Sequence, residues 1–288
     1  MIISTPTCSI GEWLGEDRAI ELIAKAGFNA FDYSIYTMAK FNWNTLQPII
    51  EENHPLYKSN YIKYLQGLKR VAQDNGIYCN QTHAPFPLFN GFIESLAKKS
   101  IEVSAELGAK ICVIHPDKSL LSEENVELYM ELLPFAKEHG VKIATENMFD
   151  WRSDLGYAVP KACGTKESFL EHLNAIKDDN FVACLDIGHA EMMKDGTNAV
   201  DMIKALGNRL QALHIHDNDK THDNHQIPFS MSIDYKPIMK ALKEIGYSGD
   251  FTLECDSYVA TCGKEKVSSC LTQLKNAVLK LVETFEKA

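Results

Sequence analysis

From end to end the chain alternates short β-rich runs with segments of helical apolar spacing, eight of each, and this alternation constrains the fold more than any other pattern in it. The runs at 2–9, 28–34, 78–83, 110–115, 142–146, 181–187, 210–216 and 250–254 read as strands. The segments at 18–26, 56–74, 92–107, 123–138, 166–176, 199–206, 235–245 and 264–285 read as helices. Several end in a glycine just before the next strand, as in Ala26-Gly27-Phe28, Asn75-Gly76-Ile77, His139-Gly140-Val141 and Ile245-Gly246-Tyr247, the signature of a left-handed helix cap. Strands joined through a helix pair in parallel, so the pattern predicts an α/β fold with a helix-covered parallel sheet. Eight such units in 288 residues fit a (β/α)8 TIM barrel, for which ~250 residues is typical. A doubly wound sheet with extra units is the alternative. No Pro/Ser-rich linker divides the chain, so a single domain over 1–288 is expected.

Two connections exceed ordinary length: 36–54, containing Trp43, and 149–164, containing Trp151 and Arg152. In a barrel, loops beyond the C-terminal ends of the strands carry lids and substrate contacts.

Composition narrows the class. With 45% hydrophobic and 24% charged residues the chain can bury a large core. No apolar run approaches the ~20 residues needed to span a bilayer, and no basic region precedes the first strand, so a cytoplasmic protein without membrane contact is expected. A net charge of -10 argues against general affinity for nucleic acid. The eight cysteines form no CxxC pair, which predicts reduced core residues with neither disulfides nor a cysteine-based zinc site.

Ionisable residues gather at the ends of strands three to eight: His83, His115, Glu146, Asp186 with His189, His214 with His216, and Glu254, followed by Asp223 and His225. A barrel brings all strand ends to one mouth, where clustered carboxylates repel unless a cation sits among them. A divalent metal is therefore expected. Glu146, Asp186, His214 and Glu254 make an oxygen-rich set suited to Mn²⁺, Co²⁺ or Mg²⁺. Adding His83, His115, His189, Asp223 and His225 gives nitrogen-rich pockets that favour Zn²⁺ and provides donors for two or three ions.

The phrases His83-Ala-Pro, His115-Pro, Glu146-Asn, Leu185-Asp186-x-x-His189, His214-Ile-His-Asp217, Asp223-Asn-His225 and Leu253-Glu254, in this order, resemble the xylose isomerase-like TIM-barrel superfamily of sugar isomerases and epimerases, inosose dehydratases and endonuclease IV-type nucleases. Resemblance to the ketose 3-epimerase branch implies that Glu146, Asp186, His214 and Glu254 bind one metal and that His189 contacts a substrate oxygen. It further implies that Glu146 and Glu254 act as base and acid around a metal-stabilised enediolate. The expected activity is that of a metal-dependent isomerase or epimerase of a sugar, sugar phosphate or sugar acid, with an inosose-type dehydratase as a variant. In place of that branch's second glutamate and substrate arginine stand Arg152 and Lys220, so an anionic group on the substrate is an option. The endonuclease branch implies three zinc ions on His83, His115, Glu146, Asp186, His189, His214, Asp223, His225 and Glu254, and cleavage of abasic DNA. Against it, His216 replaces that branch's asparagine, and residues 227–234 replace its Gly-Glu-Gly. A small carbohydrate is the expected partner, with a homodimer as a family-based expectation.

Other residues carry weaker expectations. Trp13 either stacks on a sugar or closes the barrel end. Asp32 and Tyr33 either line the pocket or sit at the surface. The segment 118–125 reads as the acidic start of a helix.

Overall fold

Eight parallel strands, β1 (Ile3–Pro6), β2 (Ala30–Ser34), β3 (Tyr78–His83), β4 (Ile111–Val113), β5 (Lys142–Glu146), β6 (Phe181–Asp186), β7 (Leu210–His214) and β8 (Phe251–Thr252), hydrogen-bond in the order β7-β6-β5-β4-β3-β2-β1-β8. Ile215 closes the ring just past β7: its N–H donates to Thr252 O at 3.0 Å, and its carbonyl accepts from Glu254 N at 3.0 Å. The result is a (β/α)8 TIM barrel. The computed structural model describes residues 1–288 except 43, 44, 46, 87–91, 118–121 and 195, and excludes the side chains of 92–94. Trp43 and the first part of the 118–125 segment therefore lie outside the described residues.

Side-chain alternation sorts each strand into two faces. Phe31, Ile143, Leu185, Leu213 and Phe251 face outward and join the helices in the main core. The last helix, Val267–Glu286, contributes Leu271, Leu274, Val278 and Leu281 at three- and four-residue spacing, each worth roughly 1.5–3 kcal/mol when buried. Inside the barrel, β4 to β7 supply Val113, Ala144, Val182, Cys184 and Ala212. The other side of the interior is polar: Ser4 Oγ donates to Asn80 Oδ1 at 2.7 Å, Asn80 Nδ2 to Thr252 Oγ1 at 3.0 Å, and Gln81 Nε2 to Asp32 Oδ2 at 2.9 Å. A register shift between β2 and β3 makes this possible. Phe31 pairs with Cys79 but Asp32 with Gln81, so Asn80 is an extra residue and both amide side chains reach the interior.

Several boundaries differ from expectation. The first strand stops at Pro6, which has no N–H for the ladder, and Cys8 opens the helix Cys8–Leu14. Two further short helices, Ile187–Met192 and Asp256–Cys262, follow β6 and β8. The segment expected from residue 56 begins as a 3₁₀ turn, with the α-helix running over Tyr61–Asp74. Both long connections contain antiparallel hairpins, Ala39–Asn42 with Gln47–Ile50 and Phe149–Arg152 with Tyr157–Pro160. Gly27, Gly76, Gly140 and Gly246 all have positive φ, as their capping positions require. All eight cysteines are free thiols. No helix among the described residues is long and apolar enough to cross a membrane.

Candidate active site

His83, Glu146, Asp186 and His214 are the last residues of their strands, and His115 and Glu254 stand two residues beyond β4 and β8. The inward alternation that buries Ala144, Cys184 and Ala212 carries Glu146, Asp186 and His214 to the mouth. Asn147 ties two of these ends together, its Oδ1 accepting from Asp186 N at 2.8 Å and its Nδ2 donating to Asp186 O at 2.9 Å. Asp186 then caps the helix Ile187–Met192 by accepting from His189 N at 2.7 Å, which brings both members of the Asp-x-x-His pair to the mouth.

The loop after β7 folds around Asp217. This buried carboxylate accepts from the backbone N–H groups of Asn218 and Ile233 through Oδ1 at 2.9 and 3.0 Å, and from Met231 through Oδ2 at 2.9 Å. The returning loop presents Asp223 and His225, the latter held at φ 44°.

The structure therefore brings together His83, His115, Glu146, Asp186, His189, His214, His216, Asp223, His225 and Glu254. Three donor sets stand out, the first two sharing Glu146 and the third separate, each with ligand atoms within 4.8 Å of one another: Glu146, Asp186, His214 and Glu254; His83, His115 and Glu146; and His189, His216, Asp223 and His225. Cys184 joins Glu146 and His214 in another, a contact that the cysteine spacing gave no reason to expect. Burial pushes its thiol up to about 12. Both oxygens of Glu146, Asp186 Oδ2, His214 Nδ1, His216 Nε2 and Asp223 Oδ1 are buried without a hydrogen bond, the condition that a bound cation would relieve. Three imidazoles are pinned at Nδ1 by backbone carbonyls, His83 by Ala84, His189 by Asn147 and His225 by Glu254, at 2.9, 3.0 and 2.8 Å. Each turns Nε2 toward the mouth, the orientation of a metal-ligating or substrate-binding histidine.

Opposed charges hold the cluster together. Burial pushes Glu146 up, but His214 at 3.0 Å and His115 at 3.2 Å outweigh it and hold this carboxyl well below the usual range. Burial pushes Glu254 well above its ordinary value despite His214 and His225, with Glu146 and Asp186 adding to the rise. His189 resists burial and is drawn up to about 10 by Asp186 and Asp223. Burial pushes His83 down, and the neighbouring His115 and His214 reinforce this.

A cavity of about 450 Å³ opens over these groups, lined also by Phe86, Phe149, Asp150 and Trp151. The three sequence-predicted substrate contacts are not among its lining residues. Arg152 is forked onto Asp154 at 2.8 and 2.6 Å, and Lys220 Nζ lies 3.4 Å from Glu191. Trp13 packs partly buried against the core. Asp32 is buried beneath His214, its Oδ2 3.6 Å from Nε2, rather than at the surface. Gln81 carries no signal in the sequence reading, and Asn147 enters it only as part of the Glu146-Asn phrase, without a role.

Comparison with known proteins agrees with the fold. A D-tagatose 3-epimerase-like protein superposes with a TM-score of 0.74 at 22% identity, covering 100% of this chain and 99% of that one. The zinc-bound IOLI protein superposes with a TM-score of 0.73 at 21% identity, covering 99% of each chain. These are likenesses of fold. In sequence, the chain is 28% identical over 239 residues to the uncharacterised protein MJ1311 of Methanocaldococcus jannaschii, covering 77% of this chain and 78% of that protein. It is 28% identical over 170 residues to the inosose isomerase of Bacillus subtilis, covering 54% of this chain and 58% of that enzyme. The family model described as xylose isomerase-like TIM barrel matches residues 20–270, and the chain belongs to that family.

Proposed function

We propose that this protein is a divalent-metal-dependent carbohydrate isomerase or epimerase that moves a proton on the carbon next to a carbonyl. The observation that carries this reading is the meeting of two buried glutamates from non-adjacent strands at one histidine nitrogen: His214 Nδ1 lies 3.0 Å from Glu146 and 3.4 Å from Glu254. One glutamate removes the carbon-bound proton and keeps it, while the other, protonated beforehand, delivers its own proton from the opposite side, with the roles exchanged in the reverse direction. His189, fixed through Nδ1 on Asn147, offers Nε2 to orient a substrate oxygen. Glu146, Asp186, His214 and Glu254 would hold the cation, which when bound supplies positive charge beside the developing oxyanion. Their oxygen-rich composition suits Mn²⁺, Co²⁺ or Mg²⁺. The epimerase-like and inosose isomerase likenesses support the reaction class.

Metal-loaded protein incubated in D₂O with a panel of ketoses, their phosphates and inososes should place deuterium at the carbon next to the carbonyl of at least one of them, read by NMR. Exchange with none of the panel would overturn the proposal. The two nitrogen-rich donor sets favour a second reading, a multi-zinc phosphodiesterase acting on abasic DNA. Two or three zinc ions per chain together with cleavage of a synthetic abasic duplex would establish it instead.

A further inference from the structure

Below the four proposed ligands lies a donor that the chemistry above does not use. Cys184 stands two residues before Asp186 on the inward face of β6, and the parallel register sets it beside Glu146 on β5 and Ala212 on β7. Its Sγ, an oxygen of Glu146 and a ring nitrogen of His214 all lie within 4.8 Å of one another, and all three residues are buried. Of the eight cysteines, Cys184 alone joins such a set among the described residues.

The groups facing the sulfur mark this spot as a place for a ligand. Glu146 and His214 are each 1% exposed, yet both carboxylate oxygens and the imidazole Nδ1 have no hydrogen bond. Polar atoms buried this deeply need a partner, and a cation between them serves both residues at once. The four-ligand set and the cysteine set share Glu146 and His214. One cation at that pair is therefore met by Asp186 and Glu254 from the mouth and by Cys184 from within the barrel. Around the thiol the inner faces of β4 to β7 supply only Val113, Ala144, Val182 and Ala212, so sulfur is the donor that this layer offers.

Resting on the metal-dependent reading, we infer that Cys184 is a further ligand of the same cation and that its sulfur makes the site select Zn²⁺ or Co²⁺ over Mg²⁺. The oxygen-rich set alone accepts Mn²⁺, Co²⁺ or Mg²⁺. A soft sulfur donor matches Zn²⁺ and Co²⁺ and is a poor ligand for Mg²⁺, which demands oxygen in near-ideal octahedral geometry. On binding, a metal–Sγ bond forms and the Sγ–H bond breaks, the electron pair staying on sulfur and the proton leaving to solvent.

The test uses the full chain stripped of metal by chelation and titrated with Co²⁺, whose bond to a thiolate gives a near-ultraviolet charge-transfer band that oxygen and nitrogen ligands do not. The wild type should develop this band, and zinc-saturated wild type should show a sulfur scatterer at about 2.3 Å in X-ray absorption. Cys184→Ala should still bind Co²⁺ through the remaining ligands but without the band, its Co²⁺ affinity lowered about 10–100-fold and its Mg²⁺ affinity within about threefold of the wild type. Cys184→Ser should lack the band as well. Co²⁺ bound by the wild type without the band, an undiminished band in Cys184→Ala, or a zinc shell of nitrogen and oxygen alone would each overturn this inference while the isomerase reading stands on its four ligands. Failure of the wild type to bind any divalent cation would remove both.

Discussion

Gly188 is the position where a single methyl group would disturb the site most directly. A Cβ built there falls 2.0 Å from His216 Cε1 and 2.3 Å from Nε2, whereas non-bonded carbon atoms rest at about 3.5–4.0 Å. The imidazole has no easy escape. It is fully buried, stacks on His225 with centroids 4.1 Å apart, and its Nε2 lies 3.2 Å from Asp186 and 3.4 Å from Asp223. The backbone is also held, His216 O accepting from the Tyr235 hydroxyl at 2.9 Å and Gly188 O from Asn218 Nδ2 at 2.8 Å. Gly188→Ala must therefore displace either the ring or the helix Ile187–Met192. The expected cost is about 2–3 kcal/mol, the upper part of the range for overpacking, or a fall in Tm of about 5–10 °C. Urea unfolding of Gly188→Ala, His216→Ala and the double variant measures it. Removing the imidazole vacates the space, so the alanine should cost at least about 1 kcal/mol less in the His216→Ala background. An equal cost in both backgrounds would refute the steric account.

Three further outcomes are expected. Glu254→Gln should keep the fold but lower solvent-deuterium exchange by about 10²–10⁴-fold, the usual contribution of a positioned acid or base, measured by NMR on the metal-loaded protein. Chelation should lower the thermal midpoint, and restoring the metal at about 1,000 times its Kd should return about 4 kcal/mol, with calorimetry as the check and an unchanged midpoint as the contrary result. Glu16, buried beside Glu12 and Asp17, has its carboxyl raised by desolvation from 4.5 to about 7, so the folded chain retains a proton that the unfolded chain releases between those values. Stability contributed by this group therefore falls as pH rises from 4.5 to about 7, and Glu16→Gln should gain up to about 3 kcal/mol over the wild type at pH 8 and nothing at pH 4 in denaturant titrations.

The barrel was legible because its two signals are local. Strand and helix periods alternate without interruption, and glycines stand at helix ends. The mouth residues were legible for a related reason: once a strand's end is located, the inward alternation carries the side chain at that end, or two residues beyond it, to the barrel's open end. The differences arose where tertiary context decides. Cys8 reads as the continuation of a strand until Pro6 breaks the ladder. Arg152 reads as a substrate contact, and the structure sets its Nε–Nη2 edge on Asp154, two residues on. The interior placement of Gln81 depends on a register shift that no single-strand pattern reveals. Cys184 could have been found from the strand itself, since it lies two residues before Asp186 on the inward face.

Orientation of the histidines is the part of the site that resides least in the ligands themselves. A ring nitrogen faces the mouth because the other one is occupied, by Ala84 O for His83, Asn147 O for His189 and Glu254 O for His225. For His214 the Gln81 amide lies 3.0 Å from Nε2, leaving Nδ1 between the two glutamates. Three of these four pins are backbone carbonyls, which any residue provides, so the sequence can conserve the ring orientation without displaying a motif for it. The fourth is a side chain. Gln81 is joined in turn to Asp32 and Thr252, and through Thr252 to Asn80 and Ser4, so the polar half of the barrel floor supports the histidine that both glutamates share. A substitution in that floor would leave every candidate ligand in the sequence and still turn one of them, which is why the floor belongs to the site as much as the mouth does.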